Sequence, residues 1–390
     1  MRKPPFSYQD LDEIVYLFQG GGALGSYQVG VFHALEQGGY SPDWLVGISI
    51  GAINSSIIAG NPPGTRLEKL YEFWDLISHD MEVPGLTNKK FLSKYHAISA
   101  AYALMFGQKN FFSPTYINPW IVERVNPTEL SFYDTSPLKE TLHKVIDFDY
   151  LNTGRTRLSV GAVDIASGDL KFFDNRKQRI EAKHIMASCA LPPGFPAIEI
   201  EGRYYWDGGL YTNTPLLCVV NDLPHKNRLC FLVDLFDSTG VVPHSMDAAE
   251  ERKKDITYAG HLKTILSYYD TQLFFQKQIA NCMKNLPDDI KKNPEIMKLA
   301  KLGDSHDVHI AKIVYKSKVE ELHSKDYEFS HLSTQRHITD GYLHTNKLLS
   351  DPDWWKNPED NYGTIVHKSA EHLEVNVGSI AEQLLRDEGH

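Results

Sequence analysis

The sequence has few of the features that mark secreted, membrane-spanning or metal-binding proteins. Only four of its 390 residues are cysteine, and none has C-x-x-C spacing, so we expect neither a disulfide framework nor a cysteine metal site. This low cysteine content favours a reducing, cytoplasmic setting. No uninterrupted apolar run of about 18 residues occurs, so we expect no conventional membrane-spanning helix. Residues 1–13 include two basic residues but no apolar stretch behind them, which argues against a signal peptide.

An excess of positive charge is also missing. The formal net charge is −10, so a general affinity for nucleic acid or anionic lipid is not expected, and any membrane contact would be local and peripheral. The hydrophobic content of 42% and charged content of 23% are those of an ordinary globular protein. The length suits one large α/β domain with an appendage, or two domains.

The most informative segment runs from Gly47 to Gly51 and reads Gly-Ile-Ser-Ile-Gly. It follows a short apolar run and precedes a stretch of small residues typical of a helix, as a nucleophile elbow requires. Gly47 and Gly51 would leave room where strand and helix nearly touch, and Ser49 would lie at the helix N-terminus. Taken alone, the pattern fits an ordinary turn equally well.

A glycine-rich loop follows the first predicted strand, residues 14–18, and precedes a predicted helix. Gly20, Gly22 and Gly25 match the spacing of a dinucleotide-binding fingerprint, which also needs an acid at the end of the second strand. Asp43 instead precedes that strand, so no cofactor is expected. The alternative is that the bare N–H groups of the loop bind an oxyanion beside Ser49.

Two later segments also fall at loops of the predicted sheet. Residues 157–166 and 169–173 read as strands joined by a tight turn, which indicates a mixed sheet. The block Ala187–Pro192 reads as a stiff connector. A further strand ends at Asp207, followed by Gly208 and Gly209. Asp-Gly-Gly is usually a turn, but here it puts an acid where α/β sheets bind ligands.

These four segments, in this order over roughly the first 240 residues, resemble the patatin-like phospholipases. The resemblance implies a three-layer α/β fold with a central, mostly parallel but mixed sheet flanked by helices. It also implies a Ser-Asp dyad, with Ser49 as nucleophile and Asp207 as base and no histidine between them. The oxyanion donors would be N–H groups of the loop that contains Gly20, Gly21, Gly22 and Gly25.

Residues 81–120 interleave aromatic and basic side chains close behind the elbow. Such an insertion could serve as a lid that receives acyl chains or touches a lipid surface. A helical cap that packs only its own core is the alternative.

The charge run Glu250–Asp255 predicts a solvated segment and a boundary, with a catalytic domain at 1–245 and a mainly helical extension at 246–390. Within the extension, hydrophobic spacing favours helices at 262–286, 334–349 and 380–386, and a strand at 308–315. His337 and His344 would share one helix face but lie too far apart to chelate a metal, so no metal site is expected.

The resemblance implies a serine acyl hydrolase acting on carboxylic esters of phospholipids or lysophospholipids. One alternative is an esterase for another substrate, such as a hydroxybutyrate oligomer. Another is a non-catalytic interaction protein that acts through its C-terminal part. A resemblance to bacterial patatin-like proteins with a similar extension suggests a complex with a 3-hydroxybutyrate dehydrogenase. A second copy of the chain is kept as a further candidate partner.

Overall fold

The computed structural model describes residues 11–79, 89–115, 118–121, 126–303, 306–316, 325–356, 359–360 and 365–368. Its centre is a ten-stranded mixed sheet. The strands are β1 (Glu13–Phe18), β2 (Trp44–Ile48), β3 (Arg157–Asp164), β4 (Leu170–Asp174), β5 (Ile198–Ile200), β6 (Arg203–Asp207), β7 (Arg228–Asp234), β8 (Val308–Val314), β9 (Glu359–Asp360) and β10 (Ile365–Lys368). Hydrogen-bonded neighbours follow the path β9-β10-β8-β7-β1-β2-β3-β6-β5, and β4 also pairs with β3.

Helices cover both faces of this sheet and complete the predicted three-layer fold. They are α1 (Ser26–Gln37), α2 (Ile50–Ala59), α3 (Arg66–Ile77), α4 (Lys89–Phe106), α5 (Ser136–Val145), α6 (Phe148–Leu151), α7 (Ala182–Ser188), α8 (Leu216–Val220), α9 (Met246–Asn285), α10 (Asp288–Lys291), α11 (Pro294–Ala300), α12 (His331–Ser350) and α13 (Pro352–Lys356). One core packs α1, α2 and α3 against the sheet, and another packs α8 and α9 against the opposite face.

The middle of the sheet is parallel, with β7, β1, β2 and β3 side by side. These strands are buried almost throughout, because helices cover both of their faces. That explains why β1, β2 and β7 are mostly apolar and show no alternating pattern. All four therefore end at the same edge of the sheet, where the loops after β1 and β2 meet.

The sheet continues beyond residue 245. β8 pairs in parallel with β7, from Val308 beside Arg228 to Val314 beside Asp234, and β10 pairs in parallel with β8. The strand predicted at 308–315 is thus confirmed at Val308–Val314. The division into two domains at residue 245 stays a prediction, while the sheet itself takes strands from both sides of that position.

The C-terminal helix α12 packs directly on α1, the helix that follows the glycine-rich loop. The two backbones approach so closely that a Cβ on Gly30 would lie 1.9 Å from the carbonyl oxygen of Ile338. A Cβ on Gly341 would lie 2.3 Å from the carbonyl oxygen of Tyr27. His344 adds a hydrogen bond of 2.7 Å between its Nδ1 and the Tyr27 hydroxyl.

The segment proposed as a lid is described only in part. Residues 81–88 and 116–117 lie outside the described residues, as does the helix predicted at 380–386. Toward the end of α4, Ala100 and Ala103 are buried, whereas Met105 and Phe106 are 69% and 64% exposed. No helix among the residues described here is both long enough and apolar enough to cross a bilayer.

Candidate active site

Two strands bring Ser49 and Asp207 to one place on the sheet. β2 and β6 share one edge of β3, because the other edge is occupied by β4. The last residue of β2, Ile48, pairs with Gly161, and Asp207 at the end of β6 pairs with the next residue, Ala162. The C-terminal ends of β2 and β6 are therefore neighbours on β3. Ser49, which follows β2, and Asp207, which ends β6, line the same crevice.

The backbone at Ser49 has the geometry of an elbow between β2 and α2. Ser49 has φ 55° and ψ −128°, a left-handed conformation that serine seldom adopts. The close approach that the sequence predicts is present, since a Cβ on Gly47 would lie 2.3 Å from the carbonyl oxygen of Gly51. A Cβ on Gly51 would lie 2.3 Å from the carbonyl oxygen of Phe18. Ser49 is half-buried at the N-terminus of α2.

The small-residue block 187–192 holds both candidate residues. The backbone N–H of Ser49 donates to the carbonyl oxygen of Ser188 at 3.1 Å and to its hydroxyl at 3.0 Å. The Ser188 hydroxyl in turn donates to the carbonyl oxygen of Gly161 at 2.6 Å. The N–H of Asp207 donates to the carbonyl oxygen of Ala190 at 3.0 Å. The segment predicted as a connector therefore braces the site.

Asp207 is a buried carboxyl group with few donors. Only 2% of it is exposed, and its Oδ1 accepts a hydrogen bond of 2.7 Å from the N–H of Gly209. Burial raises the pKa of Asp207 to about 7, opposed by the Gly209 N–H and by a hydrogen bond from the Ser49 side chain. The carboxyl thus has the Ser49 hydroxyl as a partner and a pKa suited to proton transfer at neutral pH.

The glycine-rich loop lies against this pair. A Cβ on Gly20 would lie 2.8 Å from the Cβ of Ser49, and the Asn213 side chain donates to the Gly20 carbonyl oxygen at 2.8 Å. Among the described residues, none accepts a hydrogen bond from the N–H group of Gly20 or Gly21. Gly25 is buried farther along, where a Cβ would lie 2.5 Å from Ile50, so it packs the loop onto α2.

These residues line one crevice with an aromatic wall. The lining residues are Gly20, Gly21, Gly22, Ser49, Ile50, Phe111, Phe112, Cys189, Leu191, Phe195, Asp207, Gly209, Asn213, Phe236, Tyr258, Asp326, Tyr327 and Phe329. No histidine is among these described residues, so none of them could bridge Ser49 to an acid. Gly208 lies just behind the crevice, where a Cβ would be 2.5 Å from the carbonyl oxygen of Gly161.

Comparison with known protein families identifies the chain. A family model described as patatin-like phospholipase matches residues 16–219, just over half of the chain and all four motifs. The chain belongs to the patatin-like phospholipase family. A second model, described as patatin phospholipase, matches residues 256–361, the region that contributes β8, α12 and the residues around Tyr327.

Several solved structures are also similar, each at low sequence identity. VipD from Legionella pneumophila is 13% identical, with 97% of this chain and 75% of VipD covered and a TM-score of 0.39. The type III effector ExoU is 12% identical, the match covers 74% of this chain and 69% of ExoU, and the TM-score is 0.27. A structure of ExoU in complex with SpcU, from Pseudomonas aeruginosa, is 16% identical. The match covers 74% of this chain and 60% of the matched chain, and the TM-score is 0.26. Among curated proteins, none matches the chain significantly.

Part of the patatin-like crevice comes from a segment that the sequence did not point to. We call residues 325–329 the strap. Its Asp326 carbonyl lies against Gly22, where a Cβ would be only 2.1 Å away, and Gly22 has φ 55°. Asp326, Tyr327 and Phe329 line the crevice. The strap therefore packs on the glycine-rich loop at Gly22, whereas α2 packs on it at Gly25.

Ion pairs to α9 hold the strap in place. Lys254 contacts both carboxylate oxygens of Asp326 at 2.9 Å, and Lys325 lies 2.7 Å from Glu251 and 3.8 Å from Asp255. Asp255 is 9% exposed, and burial raises its pKa to about 6, opposed by Lys325. The prediction that Glu250–Asp255 is a solvated run is therefore wrong for Asp255, because this turn of α9 faces the strap.

We expect Lys254→Gln to raise KM for an ester substrate about fivefold with little change in kcat, because a loosened strap no longer fixes Tyr327. Asp326→Asn should have the same effect, and the double variant should be no worse than either single one. Lys253→Gln is the matched control, since Lys253 is 71% exposed and pairs only with Glu250 within the described residues. Additive effects in a double-mutant cycle would contradict a shared role.

Proposed function

We propose that this patatin-like protein is a serine acyl hydrolase that cleaves carboxylic esters of phospholipids or lysophospholipids. The observation that carries the proposal is the meeting of Ser49, Asp207 and the bare N–H groups of the glycine-rich loop in one crevice. Family membership supports a lipid substrate, and the aromatic wall supports an apolar acyl group.

In the first half-reaction, Asp207 takes the proton of the Ser49 hydroxyl while the serine oxygen attacks the ester carbonyl carbon. The carbonyl oxygen becomes an oxyanion, and the N–H groups of Gly20 and Gly21 would donate to it, since both residues line the crevice and neither N–H has another acceptor among the described residues. The tetrahedral intermediate then expels the alcohol, which receives the proton from Asp207. An acyl group remains on Ser49.

In the second half-reaction, Asp207 accepts a proton from water as the water oxygen attacks the acyl-serine carbonyl. Collapse of this intermediate breaks the bond to Ser49, which recovers its proton, and releases the carboxylic acid. A buried carboxyl with a raised pKa suits this role, because it is a stronger base than an exposed aspartate once ionised.

The raised pKa of Asp207 gives a pH prediction. Since the base must be ionised, kcat/KM should rise about tenfold per pH unit below pH 7 and level off above it. Initial rates of hydrolysis of a soluble ester between pH 5 and pH 9 measure this pH dependence of kcat/KM. Asp255→Asn is the control, because Asp255 also titrates near pH 6 but lies outside the dyad. If kcat/KM of that variant no longer rose with pH below pH 7, the pH dependence would come from Asp255 and the strap rather than from Asp207.

Stability provides an independent check on the same group. Because the folded pKa of Asp207 is raised above its unfolded value, its contribution to stability is present below about pH 4 and is lost as pH rises through about 7. Asp207→Asn should therefore stabilise the protein increasingly, relative to wild type, from pH 4 to pH 8. Urea unfolding at each pH measures the difference.

A panel of substrates tests the proposed function. Wild type and Ser49→Ala are compared on a lysophospholipid, a diacyl phospholipid and a hydroxybutyrate oligomer, with free fatty acid or hydroxybutyrate as the measured product. Release of fatty acid by wild type alone supports the proposal. Cleavage of the oligomer alone would favour the polyester alternative, and no cleavage of any ester would favour a non-catalytic role.

A further inference from the structure

A second cavity lies between α9 and the sheet, outside the catalytic crevice. We call it the α9 groove. Its volume is about 580 Å³, within the usual range of small-molecule sites. Leu232, Ile310 and Val366 lie at its base on three neighbouring strands and are each at most 1% exposed. Leu266 of α9 and Val314 of β8 are half-buried and present aliphatic surface to the groove. Seven of the sixteen lining residues are aliphatic, and the other nine are polar or charged.

Charged groups lie mostly at one end of the groove. The ion pair of Lys277 with Asp307, the residue before β8, shows that α9 runs antiparallel to β8. Lys263, early on the lining face of α9, therefore lies toward the same end as Lys316, which follows β8. Both lysines are exposed, and neither has an ion-pair partner among the described residues.

Three other charged residues line the groove, and one of them is neutralised by an ion pair. Lys312 lies 2.6 Å from Asp234, a fully buried carboxylate, so its charge is compensated. Asp237 lies at the lysine end, where its carboxylate accepts hydrogen bonds from the Thr239 N–H and hydroxyl. Asp270 lies two turns beyond Lys263, toward the opposite end. The lysine end thus keeps a net positive charge.

We propose that the α9 groove binds a long-chain fatty acid, with its carboxylate at Lys263 and Lys316 and its chain against Leu266 and Val314. The lining face of α9 extends from Ala259 to Thr271, about 18 Å of helix, which matches an extended long acyl chain. An elongated groove that has accessible aliphatic side chains and a positively charged end complements this amphiphile in shape and charge. A fatty acid is the product of ester cleavage, so the claim that this enzyme supplies the ligand rests on the proposed function.

The groove adjoins the catalytic crevice. Tyr258 and Phe236 line the crevice, and the residues that follow them, Ala259 and Asp237, line the groove. A chain bound in the groove therefore contacts the same turn of α9 and the same loop that shape the crevice. Through this contact the bound fatty acid would act on the helix that holds the strap.

Calorimetric titration of dodecanoate into full-length Ser49→Ala protein tests the groove without any turnover. We expect saturable binding of dodecanoate that includes one groove site per chain. Adding Lys263→Glu and Lys316→Glu should weaken it at least about tenfold, because two attractive charges become repulsive. The matched control adds Lys284→Glu and Lys301→Glu, which change the net charge equally at exposed positions outside the groove. Its affinity should stay within about twofold.

Dodecanol serves as the uncharged ligand of the same length. Dodecanoate should bind more tightly than dodecanol in Ser49→Ala, and this preference should disappear in the Lys263→Glu, Lys316→Glu protein. Absence of binding, or equal weakening by both lysine pairs, would overturn the proposal. Because neither outcome depends on hydrolysis, a catalytically inactive wild type would refute the proposed function and leave this test valid.

Discussion

Ser49→Ala is expected to lower kcat for ester hydrolysis about 10³-fold or more, because the acyl-enzyme cannot form without the nucleophile. Asp207→Asn should lower it about 10²- to 10⁴-fold, since the amide cannot accept the serine proton. Because the two side chains act as one unit, the double variant should be little worse than Ser49→Ala. Initial rates with purified variants and one soluble ester measure all three effects.

A matched serine on the same helix provides the control. Ser55 is buried in α2, and its hydroxyl has no hydrogen-bond partner within the described part of the chain. Ser55→Ala should therefore keep activity within about twofold of wild type. If Ser55→Ala lost as much activity as Ser49→Ala, the loss would reflect damage to α2 rather than removal of a nucleophile. Equal hydrolysis by wild type and Ser49→Ala would refute the mechanism.

The largest expected effect on stability lies at the crossing of α1 and α12. Gly341→Ala should lower the free energy of unfolding by about 3 kcal/mol or more, because the added Cβ would meet the Tyr27 carbonyl oxygen at 2.3 Å. The helices can relieve this contact only by moving apart. Equilibrium unfolding in urea measures the change.

Gly260→Ala is the matched control, because Gly260 lies in α9 and an added Cβ would meet nothing within 4 Å. It should stabilise the protein by about 0.5–1 kcal/mol, as alanine favours helix. The two glycine-to-alanine changes thus have opposite expected signs. A neutral Gly341→Ala would mean that α12 does not pack on α1 as closely as described.

Much of the fold could be predicted from local sequence patterns. The parallel strands at the centre are buried on both faces, so they appear as apolar runs that a short window detects. The elbow was visible because strand, turn and helix are consecutive, and the structure places Ser49 at such a turn with Gly47 and Gly51 in close approach. The order of the four motifs was enough to indicate the family.

Contacts between distant segments could not be predicted in this way. Nothing in residues 325–329 by themselves shows that Asp326 lies against Gly22, since the contact joins positions about 300 residues apart. The charged run at the start of α9 had the pattern of a solvated surface, because its partners Lys325 and Asp326 are elsewhere in the sequence. Long-range ion pairs of this kind leave no periodic signal in a single chain.

The shared edge of β3 was equally hidden. The sequence indicated one strand that leads into Gly47–Gly51 and another that ends at Asp207, but not that Ile48 and Asp207 pair with adjacent residues of β3, Gly161 and Ala162. That register decides whether the serine and the acid meet, and it follows from sheet pairing rather than from either strand alone.

Reaction of the protein with a fluorophosphonate, followed by intact-mass analysis and peptide mapping, tests the central claim most directly. The account predicts one adduct per wild-type chain, located on Ser49, slower labelling of Asp207→Asn and no labelling of Ser49→Ala. An adduct on another residue, or labelling of Ser49→Ala at the wild-type rate, would contradict it.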